Sequence, residues 1–589
     1  MNAVVEGNRW SVDGSWYRLS GTAGGPVAWL DDATGRWAEL RLLASVDTVG
    51  AVDETFAIDG PTIVEAAAAT RLTWTLTSSI WKGKRLVFDL RPDRIVIGVE
   101  VSGRGSLGDV SLLGGRVVQP RASGWLMSGA WFHTLVSANP AAPARIAVPA
   151  RESTSIGVAS GSEPGRGRWF FTPAPFVFAV SRSETFEATH IPDGPWLAFA
   201  IDAEAGQAGF VDVAYRTVDH GFAIVLDYDG HTGVDGTWTS PPLVLTAAAD
   251  PFAAIAAQRD RQVGTTAARP PTAPRWWREP MFCGWGAQCA LAAAAGRPMS
   301  AAAAEATELN YDRFLDELEG RGIIPGTVVI DDKWQLAYGA NEADPAKWPD
   351  LGRWIRDRHA RDQRVLLWYK AWDPEGFPDD WCIRTTAGTP IGVDPTNPEA
   401  EAAVRATVRR MLASDGLDAD GLKIDFTART PTGRATVHHG TAWGVDLLAA
   451  LLAIVADEAR RVRPDALLIG HAPNTLVAPW LDMIRLNDAL RLDDPEPATD
   501  IVPQMRYRAA VVRAACPDHP IDTDDWSAPD LAGWRAYTAI KGELGVPALY
   551  YATHIDRTGE ALDDTDYALI RSTWAAYRRA SGLSPRGRD

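Results

Sequence analysis

Cysteine is scarce in this chain. The four residues, Cys283, Cys289, Cys382 and Cys516, include no CxxC pair and no companion histidine spacing, so no metal site is expected from them. Cys283 and Cys289 are close in sequence, but a cytoplasmic chain keeps such residues as thiols. A membrane-spanning run is also lacking: the most apolar helical stretch, Leu447 to Ala456, is bounded by Asp446 and Asp457 and reads as a buried helix. Met1-Asn2-Ala3-Val4-Val5-Glu6-Gly7 has no basic region leading into an apolar one, so no secretory signal is expected, and the cytoplasm is the default compartment. Basic residues are outnumbered, 58 against 75 acidic, for a formal charge of −17. Such a field disfavours phosphate backbones and anionic bilayers, so neither nucleic acid nor membrane is an expected partner. No Gly-x-Gly-x-x-Gly follows an early strand, which counts against a dinucleotide fold, and no cofactor is expected.

The 589 residues are too many for one core, and their 46% hydrophobic and 23% charged content is ordinary for globular protein. Tryptophan is abundant, at 25 residues; indole faces stack on sugar rings and their N–H donates. The two halves of the chain read differently. Residues 1–262 alternate short β-branched and aromatic runs with Gly, Asp, Asn and Pro turns: Arg85–Leu90, Arg94–Val101, Trp169–Thr172 and Phe176–Val180. That spacing predicts an antiparallel β-sandwich. A Pro-rich connector over 263–277 marks a boundary.

From 278 to 589 strands and helices alternate. Strands are predicted at Met281–Trp285, Thr327–Asp331, Val365–Tyr369, Gly421–Phe426, Ala466–Gly470, Asp482–Leu486, Pro520–Asp524 and Val546–Tyr550. Helical stretches include Tyr311–Gly320, Glu399–Ala413, Val445–Arg461 and Gln504–Ala515. Eight βα units predict a (β/α)8 barrel, with a doubly wound open sheet as the alternative. In such a barrel chemistry sits at the C-terminal strand ends, and these are one-sided. In order they supply Trp285, then Asp331-Asp332-Lys333-Trp334, then Trp368 and Lys370. Strands four to seven add Lys423 with Asp425, His471, Arg485 with Asp488, and Asp522-Thr523-Asp524-Asp525. Carboxylates, a few cations and indoles converge, as glycoside hydrolysis requires: one carboxylate attacks or activates, one donates a proton, and polar groups hold the sugar hydroxyls. A lone strand-end Asp is often a helix N-cap, but acids at four of eight ends are hard to attribute to capping alone.

Gly421-Leu-Lys-Ile-Asp-Phe426 resembles the Lys-x-Asp nucleophile motif of the α-galactosidase clan, glycoside hydrolase families 27 and 36, with a weaker likeness to family 31. Ile330-Asp-Asp-Lys-Trp334 resembles the Asp-Asp-Gly-Trp segment whose carboxylates hold the 4- and 6-hydroxyls of galactose. Arg485-Leu-Asn-Asp488 is similar to the strand that delivers the acid/base Asp, and Asp522-Thr-Asp-Asp525 lies where family 27 carries Asp-Pro-Asp. A leading sandwich before a barrel is the family 36 order. Strand three departs from it, reading Trp368-Tyr-Lys-Ala-Trp372 where family 36 has Trp-x-Glu-Pro-Glu. Strand five, Gly470-His-Ala-Pro-Asn474, lacks that family's Cys and Gly-rich loop. The chain runs only a short way past strand eight, so the C-terminal β domain of family 36 is not expected.

The resemblance implies a retaining α-glycoside hydrolase, α-galactosidase-like, with Asp425 as nucleophile. Lys423, two residues earlier, points to the same side of the strand and lowers the carboxylate's pKa. Asp488 is the expected acid/base; Asp493 and Asp494 take its place if strand six is instead Ala489–Leu492. Asp331, Asp332 and Trp334 are expected to grip the sugar, with Trp285 and Trp368 as walls. Lys370, His471, Arg485 and Asp525 are expected as further substrate contacts. Arg429 matches, one residue further along, the Arg that closes the family 36 strand-four motif. Open alternatives are a transglycosidase of raffinose-synthase type, an α-glucosidase-like enzyme, a noncatalytic sugar-binding protein and a metal-dependent barrel hydrolase. The partner expected is an oligosaccharide or glycoside; homo-oligomerisation is left open.

Overall fold

The computed structural model describes residues 3–114, 124–126, 132–137, 144–147, 153–159, 170–181, 191, 194–218, 221–262, 273–489 and 500–586. Before residue 250 the described strands pair antiparallel throughout. The long strand Arg94–Ser111 shows how the sequence dictates this. Ile95, Ile97, Val99 and Val101 are buried while the residues between them are not, so one face of the strand turns to the core. The strand first pairs with Gly83–Arg91 and Leu243–Ala248. It then pairs with Ser45–Thr48 across a register shift between Leu107 and Val110, and with Gly221–Asp227 from Asp109 on, so it passes from one sheet to the other at a bulge. Trp74 meets Trp10 and Phe88 edge-on in the core, at 5.7 and 5.1 Å.

Three of the expected strands correspond to Gly83–Arg91, Arg94–Ser111 and Val177–Ser181. The strand expected over Trp169–Thr172 does not form where it is described: residues 170–172 are irregular, and Trp169 lies outside the described residues. Pro173 and Pro175 have no N–H for a ladder, and the Thr172 N–H donates to the His471 carbonyl, 3.0 Å away in the other half of the chain. The helix Pro251–Gln262 closes the sandwich half; Gln258 Nε2 donates to the Ile201 carbonyl at 2.8 Å. Of the Pro-rich connector, residues 263–272 lie outside the described residues, and Arg275–Arg278 is a single 3-10 turn.

The barrel strands are β1 (Met281–Cys283), β2 (Thr327–Ile330), β3 (Arg364–Lys370), β4 (Gly421–Asp425), β5 (Leu467–Gly470), β6 (Met483–Arg485), β7 (Ile521–Asp522) and β8 (Ala548–Leu549). All pair parallel and in chain order; β8 returns to β1, and a parallel bridge from Asp522 to Val546 closes the ring. These strands are buried on both faces, so they read as apolar runs rather than alternations. One βα unit differs from expectation. Among the described residues no α-helix follows β5, only the turn Ala478–Trp480. The Asp482 carboxylate binds the Leu468 N–H at 3.0 Å, tying the start of β6 directly to β5.

Six barrel helices are capped by a side chain, Thr307, Asp350, Asn397, Asp500, Asp530 or Asp563, each accepting from an N–H of the first turn, while Gly284 and Trp443 precede helices without one. None of these is a strand-end acid of the barrel mouth, so capping does not account for the carboxylates there.

Candidate active site

The C-terminal strand ends are conformationally costly. Lys333, Trp372, Phe426, Asn487 and Asp524, lying just beyond β2, β3, β4, β6 and β7, all have positive φ, at 68°, 72°, 61°, 67° and 34°. None is glycine. Such residues cost about 1–3 kcal/mol each and persist where the surrounding structure holds them, which is common at sites of function.

At the centre stands Arg485, the last residue of β6, buried and shared by three carboxylates. Nη2 donates to Asp425 Oδ1 at 3.1 Å, while Nη1 donates to Asp524 Oδ2 at 2.7 Å and Asp488 Oδ1 at 3.2 Å. Asp425, ending β4, also accepts from Trp368 Nε1 at 3.3 Å and from the Phe426 N–H at 2.8 Å. Burial pushes its carboxyl up, but Arg485, Lys423 and the Phe426 N–H outweigh that and hold it well below the usual carboxylate range. Asp488 behaves oppositely. Burial, helped by the charges of Asp524 and Asp425 and opposed by Arg485, pushes it up to about 7. Their side chains stay 24% and 35% exposed, whereas Asp524 is sealed. The mouth therefore offers one accessible carboxylate that is ionised and a second that carries a proton near neutral pH, both on one guanidinium.

Lys423 does not point its ammonium at Asp425. Nζ donates to Asp331 Oδ2 at 2.7 Å and lies 3.5 Å from Cys283 Sγ and 4.9 Å from the Tyr550 ring centre. The dominant cation on Asp425 is Arg485. Asp331 is occupied: Oδ2 also accepts from the Cys283 thiol at 3.0 Å, and Oδ1 from the Asp332 N–H at 2.9 Å. Asp332 is the freer neighbour. Burial and the Asp331 charge push it up to about 6, against a hydrogen bond from Tyr338, and its Oδ1 is buried with no partner among the described residues.

Lys370, beside Asp425 in the β3–β4 register, pairs with Asp373 at 2.6 Å and lies 3.8 Å from the Tyr338 ring centre. Lys333 Nζ is also 3.8 Å from that ring, so two ammonium groups brace one tyrosine. His471, buried, has Nδ1 3.4 Å from Arg485 Nη2 and Nε2 3.1 Å from Thr427 Oγ1; burial and Arg485 push it down to about 4. Trp368 packs edge-on against Phe426 and Tyr338, and the half-buried Trp285 against Trp526. Arg429 is exposed, its guanidinium 4.3 Å from the Phe426 ring centre.

Two expected substrate contacts are corrected. Trp334 is fully buried beneath the mouth and donates Nε1 to the Trp368 carbonyl at 2.9 Å. Asp525 is sealed in the wall: Lys541 at 2.5 Å, Trp534 Nε1 at 2.9 Å and the Tyr550 N–H at 2.8 Å use both its oxygens. Asp524 and Asp525 both lie past the end of β7 in irregular backbone, where Asp524 has a φ of 34°. That turn of the chain gives Arg485 to Asp524, the neighbour not singled out in sequence, and leaves Asp525 to Lys541. Asp493 and Asp494 lie outside the described residues. Tyr338 had no sequence signal, being a loop residue beyond β2. Among the described residues no group of three or more His, Cys, Asp or Glu could hold a metal ion. No described helix is long and apolar enough to cross a membrane.

No family model matches the chain, and no curated protein matches it in sequence. Solved structures do. The galactosidase domain of the α-galactosidase–sucrose kinase AgaSK is similar at TM-score 0.52 and 12% identity, over 99% of this chain and 86% of that one. A family 31 sulfoquinovosidase from E. rectale, solved with an aza-sugar inhibitor, gives 0.59 and 11%, over 99% and 83%. The family 36 α-galactosidase AgaB from Geobacillus stearothermophilus gives 0.52 and 11%, over 99% and 86%. At these identities the likeness establishes a common architecture, and the resemblance to families 36 and 31 holds at that level.

Proposed function

We propose that the chain is a retaining α-glycoside hydrolase, α-galactosidase-like, with Asp425 as nucleophile and Asp488 as acid/base. One observation carries this: two accessible carboxylates share Arg485, one held ionised and the other raised to about 7. That is the division of labour a double displacement needs. Asp425 attacks the anomeric carbon and Asp488 gives its proton to the departing glycosidic oxygen, leaving a glycosyl ester on Asp425. Asp488, now ionised, takes a proton from water, whose oxygen displaces the ester and restores both carboxyls. Sharing one guanidinium favours the short separation, about 5–5.5 Å, of retaining enzymes over the wider gap that inverting enzymes leave for water.

Asp332, half-buried where Asp331 is sealed against Lys423 and Cys283, is the group proposed to grip the nonreducing sugar. Asp331 then serves by holding Lys423 and the Asp332 backbone. Half-buried Trp285 is the proposed wall, whereas Trp368, buried like Trp334, serves by donating Nε1 to Asp425. Lys370 replaces the carboxylate that family 36 carries at strand three, so the sugar is the property most open to departure from galactose. That an α-galactosidase and a sulfoquinovosidase share the architecture supports a hexose or a modified hexose as the sugar.

A panel of nitrophenyl α- and β-glycosides tests reaction and sugar together. Asp425→Asn should abolish turnover of whichever is cleaved, and a fluorosugar that traps the intermediate should label Asp425. Near-full activity in Asp425→Asn would sink the assignment. Azide should rescue Asp488→Ala; failure there, with rescue at Asp493, transfers the role.

A further inference from the structure

The loops after β4 and β5 meet a segment of the sandwich half. Thr172 is buried with its Oγ1 2.5 Å from Thr427 Oγ1, 255 residues away in sequence. The segment is fixed along its length. The Thr172 N–H donates to the His471 carbonyl at 3.0 Å, Asn474 Nδ2 to the Ala174 carbonyl at 2.8 Å, and Asn487 Nδ2 to the Phe170 carbonyl at 2.6 Å. The Arg508 guanidinium lies 3.3 Å from the Phe170 ring centre.

We propose that Thr172 is a positioning residue for the barrel's carboxylate centre: its hydroxyl ends a chain, Arg485–His471–Thr427–Thr172, that holds His471 in the tautomer able to accept from Arg485. The directions follow from which groups can donate. A guanidinium only donates, so His471 Nδ1, 3.4 Å from Arg485 Nη2, is the acceptor. A neutral imidazole then carries its proton on Nε2, which donates to Thr427 Oγ1 at 3.1 Å. Thr427 has one proton left to give, and Thr172 Oγ1 receives it.

The charged groups around the ring are Arg485 on β6, Lys423 and Asp425 on β4, and Asp524 beyond β7. Burial and Arg485 keep the imidazole neutral, so the tautomer is the variable left to set. Without the Thr172 hydroxyl, Thr427 is free to donate to Nε2. The ring proton then moves to Nδ1, against a guanidinium N–H, and the hold of Arg485 on Asp425 loosens. A residue of the sandwich thereby acts on the nucleophile through three side chains of the barrel.

The effect on turnover rests on Asp425 being the nucleophile; the tautomer does not. In the full-length chain labelled with 15N-histidine, the His471 resonances are identified by their loss in His471→Gln. At neutral pH they should show bare Nδ1 and protonated Nε2, and in Thr172→Val a proton on Nδ1. On a glycoside cleaved by the parent, Thr172→Val should lower kcat about 10-fold, the worth of one buried hydrogen bond, with KM little changed. Thr172→Ser should restore both readouts. A parent ring protonated on Nδ1 or on both nitrogens overturns the proposal without any variant, and so does lost activity in Thr172→Val with the tautomer unchanged. A parent that cleaves no glycoside defeats the functional reading alone, because the resonances still decide the tautomer.

Discussion

Removing the charge of Asp524 should move the alkaline limit of the reaction to lower pH. Asp488 must be protonated to assist departure, and its pKa of about 7 sets that limit: above it kcat/KM should fall about tenfold per pH unit. The acid limit, set by Asp425, should lie below the ordinary carboxylate range because its carboxyl is held down. Asp524 and Asp488 meet on the same Arg485 nitrogen, at 2.7 and 3.2 Å. Their oxygens are thus at most about 6 Å apart, where unit charges repel by roughly 3 kcal/mol or more at an effective dielectric of about 20. At about 1.4 kcal/mol per pKa unit the bare effect is roughly two units. Solvent over the 35% exposed Asp488 side chain halves it, to about one unit. Asp524→Asn keeps the shape of the side chain and leaves Arg485 more available to Asp488, which acts in the same direction. The assay is kcat/KM against pH with an alkyl glycoside or disaccharide, whose poor leaving group requires the acid; a nitrophenol leaves without one. An alkaline limb that stays in place or moves upward would refute the charge argument.

The two corrected residues should fail through stability. Asp525→Ala strands the Lys541 ammonium in a sealed wall and should cost about 3–5 kcal/mol in denaturant unfolding; a loss of only a few tenths would return Asp525 to the binding surface. Trp334→Ala should likewise lose about 3–5 kcal/mol, whereas Trp285→Ala, at the mouth, should raise KM with unfolding little changed. The reverse pattern would exchange their roles.

Periodicity within a few residues was legible from the start, because it depends on local sterics and on which face of a strand meets water. The alternation Ile95, Ile97, Val99, Val101 gave a half-buried sandwich strand, and the unbroken run before Asp425 gave a barrel strand buried on both sides. The placing of acids at strand ends was equally local, so Asp425, Asp488 and Arg485 could be named together. Trp169–Thr172 misled for the same reason: its aromatic, β-branched composition fits a strand, but its partners lie in the barrel.

Sequence by itself thus determined the order of sandwich and barrel and the chemical character of the mouth, both of which depend on neighbours along the chain. Tertiary structure alone decided the surroundings of each acidic pair: Asp331 is held by Lys423 and Cys283 whereas Asp332 is half-buried, and Asp524 rather than Asp525 meets Arg485. It also decided that Arg485, rather than Lys423, chiefly governs Asp425, and that Thr172 reaches His471. Charge and hydrogen bonding act through space over a few ångströms, and Phe170 and Asn487, 317 residues apart, become neighbours only once the sandwich is seated on the barrel.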